Sequence, residues 1–234
     1  MDGGDSQLSV AFDMADEAKP APKAADAADG KAAPSQTIEP RADRKSGVVA
    51  KRGIDVIVSA SSLLVLSPVM AAVYVSIRLS DKGPALFWSE RVGREGQRIN
   101  VPKFRTMTQR APVMSRESLP DGDSHTTRVG RFLRRRSLDE LPQLWSVLRG
   151  DMSLIGPRPL LVCDPAERAR NQIGYNHPVR PGITGLAQIR GRNAVTPRRK
   201  ARYDKFYADR GDLKLDVKIA LRTVRIVFKM ENIL

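Results

Sequence analysis

The most distinctive pattern in the chain is a run of 22 uncharged, mostly apolar residues at positions 56–77. As an α-helix this run would be about 33 Å long, which matches the apolar thickness of a lipid bilayer. Basic residues flank it on both sides, with Lys51 and Arg52 before it and Arg78 and Lys82 after it. Because basic flanks mark the cytoplasmic side of a membrane segment, the pattern indicates that both ends lie on that side.

Ser67 and Pro68 stand near the centre of the run. Proline removes a backbone hydrogen bond from a helix, and a serine hydroxyl can bond the carbonyl that is left free. A break at this point would turn the helix back toward the side from which it entered. The pattern therefore favours a re-entrant helix-break-helix hairpin, with a kinked transmembrane helix and a buried core helix as alternatives.

The pattern after residue 82 predicts a small α+β domain. Two strand-like runs, 85–92 and 98–107, flank a glycine-containing turn and predict a β-hairpin. Alternation in the second run places Lys103 and Arg105 on one face, where they would meet phosphate or simply face solvent. Helices that end at a glycine are predicted at residues 141–149, 164–173 and 198–210.

Residues 212–234 predict an amphipathic helix with a cationic stripe. Its five cations follow one another at steps of four, four, three and four, and they are Lys214, Lys218, Arg222, Arg225 and Lys229. Apolar residues fill much of the remaining surface. This arrangement is typical of a helix that lies in the membrane interface with its cations toward the headgroups. A surface helix packed on the core is the alternative.

The charge is divided unevenly along the chain. The formal net charge is +14, but residues 1–45 hold nine acidic and six basic residues, so residues 46–234 carry +17. The first 45 residues also lack apolar periodicity and are predicted to form a disordered tail. We therefore divide the chain into this tail, a re-entrant membrane helix at 46–82 and a cytoplasmic domain at 83–234. Its basic character implies anionic partners: nucleic acid, an acidic membrane surface or phosphorylated substrates.

The chain contains one cysteine, Cys163, and two histidines, His125 and His177. This composition excludes a disulfide framework and a multi-cysteine metal site. It also leaves almost no residues for a histidine zinc site or a Ser-His-Asp triad. We interpret His177, which precedes a proline, as a loop residue.

An acidic pair, Asp139 and Glu140, lies inside a strongly basic segment. Arg158, between two prolines, follows the pair, and four further arginines precede it: Arg131, Arg134, Arg135 and Arg136. We expect these cations to hold Asp139 ionised, as a nucleophile or a metal ligand beside bound phosphate.

A capping box is the alternative interpretation of this segment, with Ser137 as the N-cap and Glu140 reaching back to it. Pro142 complicates it, because proline suits the first turn of a helix that begins after the pair. Under both interpretations the pair lies at a helix start, where free N–H groups favour anions.

Five ordered motifs carry a resemblance to a known family. They are KFR at 103–105, SLDELPQ at 137–143, MSLIGPRP at 152–159, RPGITGLAQ at 180–188 and GRN at 191–193. Over residues 48–232 the chain resembles the bacterial sugar transferases, the monotopic polyprenyl-phosphate phosphoglycosyl transferases, in their small form. The resemblance implies a re-entrant helix broken at Ser67 and Pro68 in the cytoplasmic leaflet of the bacterial inner membrane.

The resemblance also implies a reaction and its residues. Asp139, assisted by Glu140, would attack the β-phosphate of a UDP-sugar, expel UMP and pass the phosphosugar to polyprenyl phosphate. This would be the first membrane step of exopolysaccharide or other surface glycan synthesis. Mg²⁺ would be required, with Asp139 as its protein ligand. The implied phosphate or nucleotide contacts are Lys103, Arg134, Arg158 and Arg192.

Two further function classes are considered. A basic protein that binds nucleic acid or acidic lipid without catalysis would also explain the charge, but the few aromatic residues form no stacking cluster, so we expect no nucleic acid partner. A glycosyltransferase that uses the same donor would release UDP instead of UMP. Arg190 and Pro197 depart from the family pattern in the region thought to select the sugar. The sequence is compatible with a homodimer and does not identify the sugar, the role of residues 1–45 or the downstream glycan.

Overall fold

The structure is a computed structural model that describes residues 42–109, 111, 125–191 and 195–229. The described chain divides into two units between Val48 and Val49. The predicted tail therefore lies almost entirely outside the described residues, as does Arg192.

A single long helix, α1, covers Ala42–Ser80 and contains Pro68 without interruption. Proline has no N–H to donate to the carbonyl of Leu64, four residues earlier. The Ser67 hydroxyl donates to that carbonyl instead, at 2.7 Å. The predicted role of the serine is thus confirmed, and the helix continues past the proline in place of two separate helices. The re-entrant path itself stays a prediction.

The surface of α1 is mostly exposed and apolar. Among the described residues it is the one helix long and apolar enough to cross a membrane. Leu64 and Val65 near its middle are more than 70% exposed, whereas Val73 and Ile77 near its end are buried. An apolar helix face of this extent is typical of contact with lipid.

The predicted β-hairpin is confirmed. Strands β1 (Leu86–Val92) and β2 (Arg98–Phe104) pair antiparallel, and a 3₁₀ turn at Arg94–Gly96 connects them. One face of the hairpin contributes to a core made by Val73, Ile77, Ala85, Phe104 and Leu133. The end of α1 therefore packs on the same core as the hairpin.

The remainder of the described chain consists of short helices and turns, one two-stranded sheet and the loops between them. The elements are α2 (Arg128–Arg135), a 3₁₀ turn (Leu138–Glu140), α3 (Gln143–Arg149), β3 (Ser153–Ile155), α4 (Pro165–Gln172), β4 (Gly182–Thr184), α5 (Leu186–Ile189), α6 (Pro197–Arg210) and α7 (Leu213–Lys229). The three helices predicted to end at glycine correspond to α3, α4 and α6. The prediction missed α2, α5 and the β3–β4 pair.

Strands β3 and β4 explain why two of the motifs contain glycine. The strands pair parallel, with Ser153 opposite Gly182. A Cβ atom on Gly182 would lie 2.1 Å from the backbone nitrogen of Gly156. Because no side chain fits at that distance, the approach of the two segments requires glycine. The motif around 152–159 is thereby placed against the motif around 180–188.

Two residues in the N-terminal half of α1, Lys51 and Asp55, bond to the β3 segment. The Asp55 carboxylate accepts from the Leu154 backbone N–H at 3.0 Å, and Lys51 donates to the Ile155 carbonyl at 3.0 Å. Lys51 also pairs with Asp216 of α7 at 2.7 Å, and the Tyr207 hydroxyl donates to the same carboxylate at 2.6 Å. These bonds connect the start of α1 to α6, α7 and β3.

The last helix, α7, has one packed face and one exposed face. Asp216 and Ile219 are buried, while Val217, Leu221 and Val224 are more than half exposed. The predicted cations Lys214, Lys218, Arg222 and Arg225 are also exposed. The helix thus combines both interpretations of the sequence, since it packs on the core and presents an apolar and cationic surface outward.

Candidate active site

The acidic pair lies in the 3₁₀ turn between α2 and α3, so the prediction that it precedes a helix is confirmed. The capping box is wrong. Ser137 adopts a left-handed conformation with φ of 54°, and its side chain makes no capping bond. Glu140 turns away from Ser137 and toward the hairpin.

Glu140 holds two of the predicted phosphate-binding cations. Its Oε1 accepts from Lys103 Nζ at 3.0 Å and from Arg158 Nη2 at 2.7 Å. The side chains of Glu140 and Lys103 are each 19% exposed, and that of Arg158 is 40% exposed. Lys103 comes from β2 and Arg158 follows β3, so one carboxylate joins three separate motifs in a site that opens to solvent.

The backbone around Arg158 is held on both sides. The Pro157 carbonyl accepts from the Gly182 N–H at 2.9 Å, and the Arg158 carbonyl accepts from Arg170 Nη2 at 2.9 Å. The flanking prolines also restrict rotation here. Arg158 therefore presents its guanidinium from a fixed backbone, as its place between two prolines suggested.

Arg170 belongs to a buried ionic network below the site. It pairs with Asp204 at 2.7 Å and with Glu167 at 3.1 Å. Glu167 pairs in turn with His177 at 2.8 Å. Burial opposes ionisation of Glu167, but the bonds from His177 and Arg170 lower its pKa below the usual range. His177 lies in a loop, as interpreted, but it is buried there and bonded to Glu167, which the sequence did not indicate.

The two neighbouring carboxyl groups are shifted in opposite directions. Burial alone would raise the pKa of Glu140, but the charges and hydrogen bonds of Arg158 and Lys103 bring it far below its usual value. Burial and then the negative charge of Glu140 raise the pKa of Asp139 above its usual value, against the lowering effect of nearby cations. The cations were expected to favour the ionised form of Asp139; they do lower its pKa, but burial and the charge of Glu140 outweigh them.

Arg134 is the third predicted cation that acts on Asp139. Its Nε donates to the Thr106 hydroxyl at 2.8 Å. Helix α2 can approach that threonine because position 130 is glycine: a Cβ there would lie 2.0 Å from the Thr106 carbonyl oxygen. Arg131, Arg135 and Arg136, by contrast, are exposed on the outer side of α2.

Arg105 does not join Lys103. Strand β2 ends at Phe104, and the buried Arg105 guanidinium donates to the Asp81 carbonyl at 2.9 Å and lies 3.4 Å from its carboxylate. The prediction that Lys103 and Arg105 share one face of the strand is therefore wrong for Arg105, which lies beyond the end of β2.

Arg91 is a further cation near the site that the sequence did not suggest. It lies on β1 on the same face as Lys103, because cross-strand partners share a face and its partner Ile99 is four residues, an even number, from Lys103 on β2. Burial and the neighbouring charge of Arg158 lower the pKa of Arg91 to about 10. The Arg-Val-Gly sequence at this position is typical of the end of a strand, so nothing in the sequence indicated that Arg91 lies near the site.

The carboxylates of the site suit a Mg²⁺ ion that is shared with phosphate. The described residues contain no group of three or more His, Cys, Asp or Glu side chains placed to hold a metal. Within this part of the chain Glu140 is occupied by two cations, while Asp139 makes no hydrogen bond. Mg²⁺ commonly binds through one or two carboxylates together with substrate phosphates and water. Asp139 fits that mode, and a site made of protein ligands alone does not.

A family comparison identifies the class of protein. The model of the bacterial sugar transferase family matches residues 46–230. The chain therefore belongs to the bacterial sugar transferase family. The match includes the long apolar helix, the hairpin, the acidic pair and the Pro-Arg-Pro segment.

Three relatives show the range of names in the family. A UDP-glucose:undecaprenyl-phosphate glucose-1-phosphate transferase of Klebsiella pneumoniae is 41% identical over 189 residues, which cover 76% of this chain and 40% of the relative. A protein of the same name from Caulobacter vibrioides is 40% identical, covering 78% of this chain and 71% of the relative. A UDP-N-acetylgalactosamine-undecaprenyl-phosphate N-acetylgalactosaminephosphotransferase of Aeromonas hydrophila is 39% identical, covering 76% and 43%. The chain thus spans less than half the length of the first and third relatives.

Proposed function

We propose that this protein transfers a sugar-1-phosphate from a UDP-sugar to polyprenyl phosphate through a covalent intermediate on Asp139. The observation that carries the proposal is the contrast within the acidic pair. Glu140 is paired with two cations, whereas the Asp139 carboxylate is left without a hydrogen bond among the described residues, within the field of Lys103, Arg134 and Arg158. Such a carboxylate is suited to attack phosphorus in a site that neutralises phosphate charge.

The reaction proceeds in two displacements. An Asp139 oxygen bonds to the β-phosphorus while the bond from that phosphorus to the bridging oxygen breaks, and UMP leaves with the electron pair. A phosphate oxygen of polyprenyl phosphate then attacks the same phosphorus, and the bond to Asp139 breaks. The products are a polyprenyl-diphosphate sugar and the free carboxylate, so no net proton is exchanged with the enzyme.

Glu140 acts on the cations in this scheme. It holds Lys103 and Arg158 in place before the donor binds, through the Lys103 ammonium and one terminal nitrogen of Arg158. The N–H groups that Glu140 does not engage would donate to the phosphates of the donor. Positioned charges of this kind stabilise the transition state without reorganisation.

We further propose that Mg²⁺ binds with the donor, with Asp139 as its protein ligand. When bound, the ion neutralises negative charge on the diphosphate. Removal of Mg²⁺ by a chelator should therefore abolish turnover, and added Mg²⁺ should restore it.

The released nucleotide tests the reaction. We expect UMP, and not UDP, when membranes, polyprenyl phosphate and a panel of UDP-glucose, UDP-galactose and UDP-N-acetylgalactosamine are combined. The names of the relatives point to several sugars, so the panel also identifies the donor. UDP as the product would establish the alternative, a glycosyltransferase.

Replacement of the nucleophile tests the intermediate. Asp139→Asn should keep the fold but abolish turnover, and intact mass should detect a phosphosugar adduct on the wild type only. Asp209→Asn, at an exposed position on α6 that pairs with Lys205 at 3.7 Å, is the matched control and should retain activity. Near-normal activity of Asp139→Asn would contradict the mechanism.

We also propose that α1 is re-entrant and enters the cytoplasmic leaflet of the inner membrane. Asp55 and Ile77 near its two ends both contact the same compact unit, through Leu154 and through the hairpin core. A straight helix would carry these positions about 33 Å apart, the thickness of the bilayer core. A folded domain cannot reach both faces of a membrane, so a return of the helix to one side accounts for both contacts.

Cysteine labelling tests this path. Lys51 is unsuitable as a label site because it pairs with Asp216, but Val49 and Lys82 are exposed. Cysteines at these two positions, in a Cys163→Ser background, should both be protected from an impermeant reagent outside intact cells. Labelling at one end only would establish a transmembrane helix. Leucine at both Ser67 and Pro68 should shift the protein toward that one-sided result.

A further inference from the structure

Arg91 lies beside the segment that carries Arg158. The N–H of Val92 donates to the Leu160 carbonyl at 3.0 Å, which joins the end of β1 to the residues directly after Pro159. The register of the hairpin turns Arg91 to the face that also presents Lys103. Arg91 is therefore placed at the edge of the site, although it belongs to none of the motifs discussed above.

The guanidinium of Arg91 is only partly satisfied. Its Nε donates to the Ser89 hydroxyl at 2.8 Å, and its terminal nitrogens have no partner among the described residues. Two carboxylates act on it electrostatically, but Glu140 is bonded to Lys103 and Arg158, and Asp164 caps α4 through the Ala166 N–H.

A half-buried cation without a bonded carboxylate lowers the stability of a fold. Here a second cation, Arg158, also acts on it, and the lowered pKa of Arg91 reflects both effects. Such an arrangement suits a bound anion, because an anion would accept the unused N–H groups and offset the repulsion between the two guanidiniums.

We propose that Arg91 binds the diphosphate of the nucleotide-sugar donor beside Arg158. Its role rests on the proposed function, since it names a further contact to the same donor. Arg91 and Arg158 would both donate to the oxygens of one diphosphate, so Arg91 contributes to donor binding and not to the positioning of Asp139. Its loss should accordingly weaken donor binding more than acceptor binding.

Arg98 provides the matched control. It is an arginine of the same hairpin, but its side chain is 53% exposed and pairs with Glu90 at 2.6 Å on the opposite face. Arg91→Gln and Arg98→Gln remove the same charge from the same hairpin. Only the first should affect a ligand at the site.

The experiment measures UDP binding and UMP release in full-length protein in membranes. We expect Arg91→Gln to weaken UDP binding and to raise the KM for the UDP-sugar by about tenfold or more, as one lost charge-assisted bond predicts. The KM for polyprenyl phosphate should change little. Arg98→Gln should match the wild type. Equal behaviour of the two variants, or a change confined to the acceptor KM, would overturn the proposal.

The thermal midpoint separates binding from a structural role. Because Arg91→Gln removes a poorly paired cation, we expect an unchanged or higher midpoint together with weaker UDP binding. A lower midpoint with unchanged UDP binding would show that Arg91 is structural. If the wild type binds UDP but releases no UMP from any donor, the proposed function fails while the binding comparison still tests Arg91.

Discussion

Replacement of Glu140 by glutamine separates the electrostatic role of this residue from any role in folding. Glutamine keeps the shape and one acceptor oxygen but removes the negative charge that holds Lys103 and Arg158 at 3.0 and 2.7 Å. A charge-assisted hydrogen bond contributes roughly 1 kcal/mol more than a neutral one. The weakening of two such bonds would lower the free energy of unfolding by about 2 kcal/mol, and solvent around the 40% exposed Arg158 reduces this loss to about 1–2 kcal/mol. The thermal midpoint should fall by roughly 3–6 °C.

Turnover should fall much further than stability. Lys103 and Arg158 would lose the group that positions them, and the loss of one positioned electrostatic contact typically costs about 10²–10³ in rate. A capping residue would show the opposite ratio, a modest loss of stability with little change in rate, because capping contributes only about 1 kcal/mol.

The pH profile gives the sharpest test of Glu140. The pKa of Asp139 is raised by burial and by the charge of Glu140, and Asp139 must be ionised to attack, so turnover should increase as pH rises through that pKa. Glu140→Gln removes a negative neighbour and frees two cations to act on Asp139. Both changes lower the pKa of Asp139, so the acidic limb should move to lower pH.

UMP release measured from roughly pH 5 to 9 checks this shift. Glu90→Gln, at an exposed hairpin position paired with Arg98, is the control. An acidic limb that stays in place, or moves to higher pH, would refute the assignment of Glu140 as the group that raises the pKa of Asp139.

Further predictions concern Arg158 and Gly130. Arg158→Lys should lower turnover about tenfold or more, because lysine cannot reproduce the geometry of a guanidinium that bonds Glu140 and phosphate together. Arg135→Lys, on the exposed side of α2, should lower turnover little. Equal losses of turnover in the two variants, measured at saturating Mg²⁺ and polyprenyl phosphate, would show that only general positive charge matters. Gly130→Ala would place a Cβ 2.0 Å from the Thr106 carbonyl and should lower the thermal midpoint by several degrees, as about 1–3 kcal/mol of overpacking predicts. Gly53→Ala, where a Cβ meets nothing within 4 Å, should leave the midpoint unchanged or raise it.

Local signals predicted much of the fold. The hairpin and three helices followed from alternation and from terminal glycines, since these patterns act over a few residues. The helix α2 was missed because four of its eight residues are arginine, which hides its short apolar stripe. The β3–β4 pair was missed because each strand has only three residues, and each paired residue lies 29 residues from its partner, as Ser153 does from Gly182.

The site was predictable as a set of motifs and not as a network. Asp139, Glu140, Lys103 and Arg158 came from their sequence context and the resemblance. That Glu140 engages both cations, and that its charge raises the pKa of Asp139, depends on three elements that the fold brings together. Ser137 fits a capping box by sequence, but in its left-handed backbone conformation the side chain makes no capping hydrogen bond.

The bond from Arg170 to the Arg158 carbonyl has a consequence for attempts to alter donor choice. Arg170 is held by Asp204, which lies on α6, the helix that begins at Pro197, one of the two positions where the sequence departs from its family. A replacement of the region around these two positions with the corresponding segment of a relative would therefore act on more than the residues it exchanges. Because Arg170 bonds both Asp204 and the Arg158 carbonyl, a shift of α6 would also displace the backbone that carries Arg158. Under the proposed function, a graft made to alter donor choice should therefore keep its turnover only when α4 and α6 are exchanged together.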